Sequence, residues 1–299
     1  MREGHVTASD GAELYFRQVG AGTSTLLVPD AAFLCEHFAA LSRQRNVIFY
    51  DVRNRGRSQT IVERERLVRG IHQDVDDLEA VRRHFGVPSV QLLGHSYWGV
   101  VVALHALRYG HVERIVQIAP PPPDATREYP AALQWRDEIA REFAANLATL
   151  QVQRHLRPTA QLHAELMAWL RRLMVLDSAD VAKIRWNDSL PNEAAACLHL
   201  NQYILPSLQA LRLERSALSP LTAPVLIIHG CKDRQAPYCG GCDWATRLPD
   251  ARLLTIEEAA HVPWIEAPQQ VFTAIETFLQ GSWPPQAQVI TAEDAANPR

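Results

Sequence analysis

The stretch from Val90 to Leu104 constrains this chain most. It runs from the apolar Val90-Gln91-Leu92-Leu93 into Gly94-His95-Ser96-Tyr97-Trp98-Gly99 and then into Val100-Val101-Val102-Ala103-Leu104. An apolar run ending at glycine, a serine two residues on, and a helix-compatible run to about Tyr109-Gly110 together predict strand, sharp turn and helix, with Ser96 at the apex. A serine hydroxyl is a poor nucleophile unless it is exposed beside a base and near N–H donors. A strand-to-helix turn lifts the side chain clear of the sheet and presents the unpaired N–H groups of a helix start. The usual spacing of such an elbow is G-x-S-x-G. Gly94 fits it, but Trp98 stands at the second glycine position and Gly99 follows one residue later.

The remaining chain supplies the context such an elbow needs. Thr25–Val28, Asn46–Tyr50, Arg114–Ala119, Val225–His229 and Ala251–Ile256 are short apolar runs. A hairpin, Val6–Ala8 and Ala12–Val19, turns at Asp10-Gly11. Helices are expected over Glu36–Arg43 and Gln269–Gln280. A further helix, Ile71–Phe85, has Ile71, Val75, Leu78, Val81 and Phe85 at helical steps and is closed by Gly86. Strands alternating with helices predict an α/β fold with a mostly parallel sheet covered on both faces. Pro120-Pro121-Pro122-Pro123 breaks the rhythm. From there to about Ser216 only helix periodicity appears, at Ala131–Leu150, Gln161–Leu176 and Glu193–Ile204. The expected organisation is a core of 1–119 and 217–282, an inserted helical cap of 120–216, and a mobile tail of 283–299.

Ligands and chemistry in such sheets gather at the carboxyl ends of the strands. Ser96 follows one strand. Gly230-Cys231-Lys232-Asp233 follows a second, and Glu257-Glu258-Ala259-Ala260-His261 a third. Serine, acid and histidine in this chain order make a candidate catalytic triad: Ser96 attacks, His261 takes and returns the proton, and Asp233 fixes the histidine tautomer.

With these residues in view, the chain to about residue 282 resembles the α/β-hydrolase family, most closely its proline iminopeptidase-like branch. The resemblance rests on Tyr50–Ser58 (YDVRNRGRS), Gly94-His95-Ser96, His229–Pro237 (HGCKDRQAP) and His261–Pro268 (HVPWIEAP). It implies an oxyanion hole made by the N–H of Tyr97 and an N–H from the loop Pro29-Asp30-Ala31-Ala32, at Ala31 or Asp30. That loop differs from the family's His-Gly motif: Pro29 has no N–H, Asp30 carries a carboxylate, and no glycine is present. The resemblance also implies that cap acids hold a substrate amine, with Glu193 the local candidate, and that Trp98 lies beside the substrate. Trp135, Trp169, Trp186 and Tyr203 could line an acyl pocket or form the cap's own core.

The expected activity is hydrolysis of a small ester or amino-acyl substrate through an acyl-enzyme. Alternatives are an iminopeptidase-type aminopeptidase, a lactone or thioester hydrolase, and a non-catalytic binding protein on the same fold. Esters are expected to be favoured over amides because of the altered oxyanion loop. No cofactor or metal is expected. Cys239-Gly240-Gly241-Cys242 lacks the second ligand pair of a zinc site, and Arg53, Arg55 and Arg57 lack a glycine-rich phosphate cradle. A net charge of −3 argues against a nucleic-acid partner. There is no apolar run of membrane-spanning length. The five cysteines without framework spacing, and an N-terminus without an apolar signal core, suggest a reduced, cytoplasmic protein acting on a small-molecule substrate.

Overall fold

A computed structural model describes all residues except 130–136, 144, 147–151, 153–159, 187–192, 292 and 295–299. Eight strands form one sheet in the order β1-β2-β4-β3-β5-β6-β7-β8. They are β1 (Arg2–Thr7), β2 (Glu13–Val19), β3 (Thr25–Pro29), β4 (Asn46–Tyr50), β5 (Val90–His95), β6 (Val112–Ile118), β7 (Val225–Gly230) and β8 (Ala251–Ile256). Only the β1–β2 and β2–β4 pairs are antiparallel; every pairing from β4 to β8 is parallel.

The central strands β3, β4, β5 and β7 are buried along almost their whole length because both faces are covered. Leu27, Ile48, Leu92, Ile115, Ile227 and Leu253 pack on one face with helices α2 (Ile71–His84) and α3 (Tyr97–Tyr109). Their neighbours Val28, Phe49, Leu93, Val116, Ile228 and Leu254 pack on the other with α1 (Ala31–Phe38) and the C-terminal helix Pro268–Leu279. The period of two along each strand divides the apolar residues between the two layers.

Three expectations need adjusting. The helix expected at Glu36–Arg43 begins earlier, at Ala31, and passes into a 3₁₀ turn at Ala39–Arg43. Asp30 adopts a left-handed conformation, φ 66°. It reverses the chain in a single residue, leaving no room for the longer loop expected at 29–32. The tail, expected to be mobile, is held as far as Gln288: Leu253 and Gln288 exchange hydrogen bonds of 2.8 and 2.9 Å, and Trp283 stacks on Phe278 with centroids 4.9 Å apart. Its first residues cover the open edge of β8, which otherwise leaves backbone groups unpaired.

Between β6 and β7 the chain leaves the sheet. Its outgoing and returning ends run side by side: Leu213 N–H donates to Pro123 O at 3.0 Å and Ala125 N–H to Leu211 O at 3.3 Å. In between lie α4 (Ala160–Met174) and α5 (Glu193–His199), the latter continuing as a π-helical turn through Leu200–Ile204. Most of the helix expected at Ala131–Leu150, and Trp135, Pro191 and Asn192, lie outside the described residues.

Candidate active site

Strand β5 ends at His95, and α3 starts two residues later at Tyr97. Ser96 makes this turn with φ 53° and ψ −126°, a strained conformation for a residue with a Cβ. The turn closes because Gly94 lies against the carbonyl of Trp98. A Cβ on Gly94 would come within 2.2 Å of that oxygen. The Trp98 side chain itself meets no such barrier, so bulk is tolerated at the position where a second glycine is usual.

Asp233 follows β7 and His261 follows β8. Asp233 Oδ1 accepts the backbone N–H groups of Gln235 (2.8 Å) and Ala236 (2.9 Å). Its Oδ2 lies 2.7 Å from His261 Nδ1 and 3.3 Å from His229 Nε2. Burial alone would raise the Asp233 carboxyl, but the charges and hydrogen bonds of His261 and His229 outweigh it and hold the group below the ordinary carboxylate range. His229 Nε2 also lies 3.1 Å from Ala236 O while Nδ1 has no partner. An Nε2–H on His229 faces both acceptors.

Three contacts outside the predicted triad fix the loop carrying His261. His95 Nε2 donates to His261 O at 2.9 Å. Burial pushes the His95 imidazole well below its usual range and keeps it neutral. Met174 O, at the end of α4, accepts the N–H groups of His261 (3.0 Å) and Val262 (3.3 Å). Glu266 spans the same junction: Oε1 accepts Leu176 N–H at 2.6 Å and Oε2 accepts Ala260 N–H at 2.7 Å. His95 and Glu266 lie within the motif segments read from the sequence. Met174 acts through its carbonyl, which no residue type signals.

Ser96 and His261 line one cavity of about 280 Å³ with Asp30, Arg55, Trp98 and Trp186. Ala31 and Tyr97 are each the first residue of a helix, so neither N–H has a partner within its own helix. Asp30 does not turn away from the site as an anion beside an oxyanion should. It borders the cavity and is pushed up by burial, with the charge of Arg55 and the neighbouring Trp98 side chain offsetting this only in part. The burial shift favours the uncharged acid, which weakens the repulsion that a carboxylate would exert on a nearby oxyanion.

Of the aromatic candidates, Trp186 lines the cavity and packs on Phe33 with centroids 4.9 Å apart. Trp169 meets Phe143 at 6.1 Å, and Tyr203 packs on the core. Glu193 opens α5, and its side chain lies outside the described residues. Cys239 and Cys242 are buried in the helix Tyr238–Arg247. Burial raises the Cys242 thiol to about 12. Among the described residues, no cluster of His, Cys, Asp and Glu could hold a metal ion, and no helix is long and apolar enough to cross a membrane.

The model of the alpha/beta hydrolase fold family matches residues 31–268, and the chain belongs to that family. It is 31% identical to the pimeloyl-acyl-carrier-protein methyl ester esterase of Aromatoleum aromaticum over 196 residues, covering 63% of this chain and 73% of that one. Among solved structures, it superposes on an esterase from Exiguobacterium antarcticum with a TM-score of 0.73 at 16% identity, covering 94% of this chain and all of the other (100%). A thermophilic esterase from Thermogutta terrifontis gives a TM-score of 0.68 at 22% identity, covering 94% and 98%.

Proposed function

We propose that this α/β-hydrolase cleaves carboxylic esters through an acyl-enzyme on Ser96, with His261 as general base and acid and Asp233 as its orienting carboxylate. The observation that carries the reading is the 2.7 Å contact between His261 Nδ1 and Asp233 Oδ2, with His261 and the strained Ser96 lining the same cavity. The Nδ1–H donated to Asp233 leaves Nε2 free to accept a proton. Ser96 Oγ attacks the ester carbonyl carbon as its proton passes to His261. The N–H groups of Tyr97 and Ala31 receive the charge that develops on the carbonyl oxygen. The tetrahedral adduct collapses, the C–O bond to the alcohol breaks, and His261 returns the proton to the departing oxygen. Water, deprotonated by the same histidine, releases the acid. In this reading residues 120–216 cap the site, 1–119 and 217–282 form the core, and 283–299 are a C-terminal tail.

The relative in Aromatoleum aromaticum is named for a methyl ester and supports ester rather than amide cleavage. The loop at Pro29–Ala32 supports it too: it has no glycine, and a weakened oxyanion donor penalises amides more than esters with good leaving groups. The deciding measurement compares kcat/KM for a short p-nitrophenyl ester and prolyl p-nitroanilide, with fluorophosphonate labelling of Ser96 alongside. Faster turnover of the anilide would replace the esterase reading by the iminopeptidase one. A serine that the probe leaves unlabelled would remove both.

A further inference from the structure

Arg53, Arg55 and Arg57 share one loop but do different things. Arg53 is buried and held by Asp77 (2.5 and 2.7 Å) and Asp10 (2.6 and 2.8 Å). Arg57 reaches Tyr15 (2.7 Å) and Glu3 (3.2 Å). Arg55 lines the cavity that holds Ser96, and among the described residues its guanidinium has no hydrogen bond or ion pair. A guanidinium carries five donors and stays charged at any working pH, so its charge faces the cavity unpaired.

Two further polar groups border the same cavity without partners. Asn54, 1% exposed, uses its side-chain oxygen to accept Ile61 N–H at 2.7 Å, which leaves Nδ2 as a buried donor with nothing to bond. His199, 6% exposed, has an unpartnered Nε2. Burial and the charges of Arg53 and Arg55 push its imidazole down to about 4, so it is neutral. Buried polar atoms are seldom left unpaired unless water or a ligand completes them. The acids in reach, Asp30 and Asp74, are both pushed up, Asp74 to about 7. Tyr97 OH already donates to Asp74 at 2.6 Å. Burial works against ionising both acids, which weakens their hold on Arg55.

We infer that Arg55, with Asn54 and His199, forms a carboxylate subsite, so that the preferred substrate is a half-ester of a dicarboxylic acid with its ester at Ser96 and its free carboxylate at Arg55. This rests on the esterase reading and adds the class of substrate. The rest of the wall suits such a molecule: Met174, Trp186, Leu205 and Leu208 supply apolar surface for the methylene chain.

The test compares kcat/KM for the monomethyl esters of succinate, glutarate and adipate with neutral methyl esters and methyl ω-amino esters of matching length. One of the half-esters should exceed its neutral counterpart about tenfold or more, as a charge-assisted hydrogen bond allows. Arg55→Gln should abolish that ratio, chiefly through KM, and Arg55→Lys should restore part of it. Equal turnover of charged and neutral esters overturns the subsite. Preference for the amino esters overturns it too, and reassigns the polar wall to Asp30 and Asp74 as an amine site.

Calorimetric titration with adipate and with succinate separates this inference from the esterase reading, because it needs no turnover. At least one dicarboxylate should bind the parent protein about tenfold more tightly than Arg55→Gln. Such binding without any ester hydrolysis would sink the esterase reading and keep the subsite. Ester hydrolysis without dicarboxylate binding would do the reverse.

Discussion

The Trp98 side chain neighbours the buried carboxyl group of Asp30 and opposes the upward push that burial gives it. Each residue stands where the family pattern favours glycine, one in the elbow and one in the oxyanion loop. The two departures are therefore one contact. Asp30 Oδ1 has no hydrogen-bond partner and the residue is 7% exposed, so Arg55 and Trp98 are the neighbours that offset part of the cost of burying this acid.

Trp98→Phe and Asp30→Asn should therefore couple. Removing the indole withdraws one of the groups that offset the burial of this acid, whereas replacing both residues removes indole and acid together. A double-mutant cycle by urea unfolding should give a coupling energy of about 1–2 kcal/mol. Additivity within about 0.3 kcal/mol would show that the contact carries no stability.

Ser96→Ala should lower kcat by roughly 10⁴-fold or more while leaving the melting temperature near that of the parent. Asp233→Asn should cost about 10³–10⁴-fold by a different route. Its side-chain oxygen stays with the N–H groups of Gln235 and Ala236, so the amide nitrogen faces His261. That turns Nδ1 into the acceptor and puts the proton on Nε2, where the base is needed. Steady-state kinetics on one ester checks both, and a near-parental rate in either variant contradicts the assigned role.

Glu266→Gln should lower kcat about tenfold with little change in KM. One amide oxygen cannot accept from both Leu176 and Ala260, so residue 266 loses one of its two anchors and holds the His261 loop less firmly. Fluorophosphonate labelling of Ser96 should slow in proportion. Loss of thermal stability with an unchanged labelling rate would make Glu266 purely structural.

Stability should respond to pH with two signs. Asp74 is raised to about 7, by burial first and by its neighbour Asp77, against the hydrogen bond of Tyr97 and the charges of Arg53 and Arg55. Its contribution is complete below about pH 4 and is lost as the pH rises through 7. Asp74→Asn should therefore gain on the parent between pH 4 and 8, by up to about 4 kcal/mol. Asp233 is depressed, so its contribution is present above about pH 4 and lost as the pH falls below it. Urea melts of parent and Asp74→Asn across this range decide the first point. A pH-independent difference would contradict it.

The sheet, the elbow turn and the placement of Ser96, Asp233 and His261 after strand ends were legible because each has a local signature: an apolar run, a turn, and a polar residue after it. Arg55 was visible as part of a basic loop, but its freedom was not. Only the structure separates it from Arg53 and Arg57, whose partners Asp77, Asp10 and Glu3 come from distant segments. The Asp30–Trp98 contact likewise joins two strand ends that adjacency in the sheet, not in the chain, brings together. The first residues of the tail read as polar and loose because an isolated bridge to Leu253 leaves no alternating pattern.

The carbonyl of Met174 makes one atom answerable to two parts of the molecule. It ends α4, in the insert, and holds the amides of His261 and Val262, in the core. In the proposed mechanism, a displacement of α4 that drew this oxygen away would also loosen the loop that carries the general base. The same pair of hydrogen bonds would then time both substrate entry and proton transfer. Exchange at the amides of His261 and Val262 reports that clock directly: the two should exchange as a pair, and slow together once Ser96 carries an acyl group.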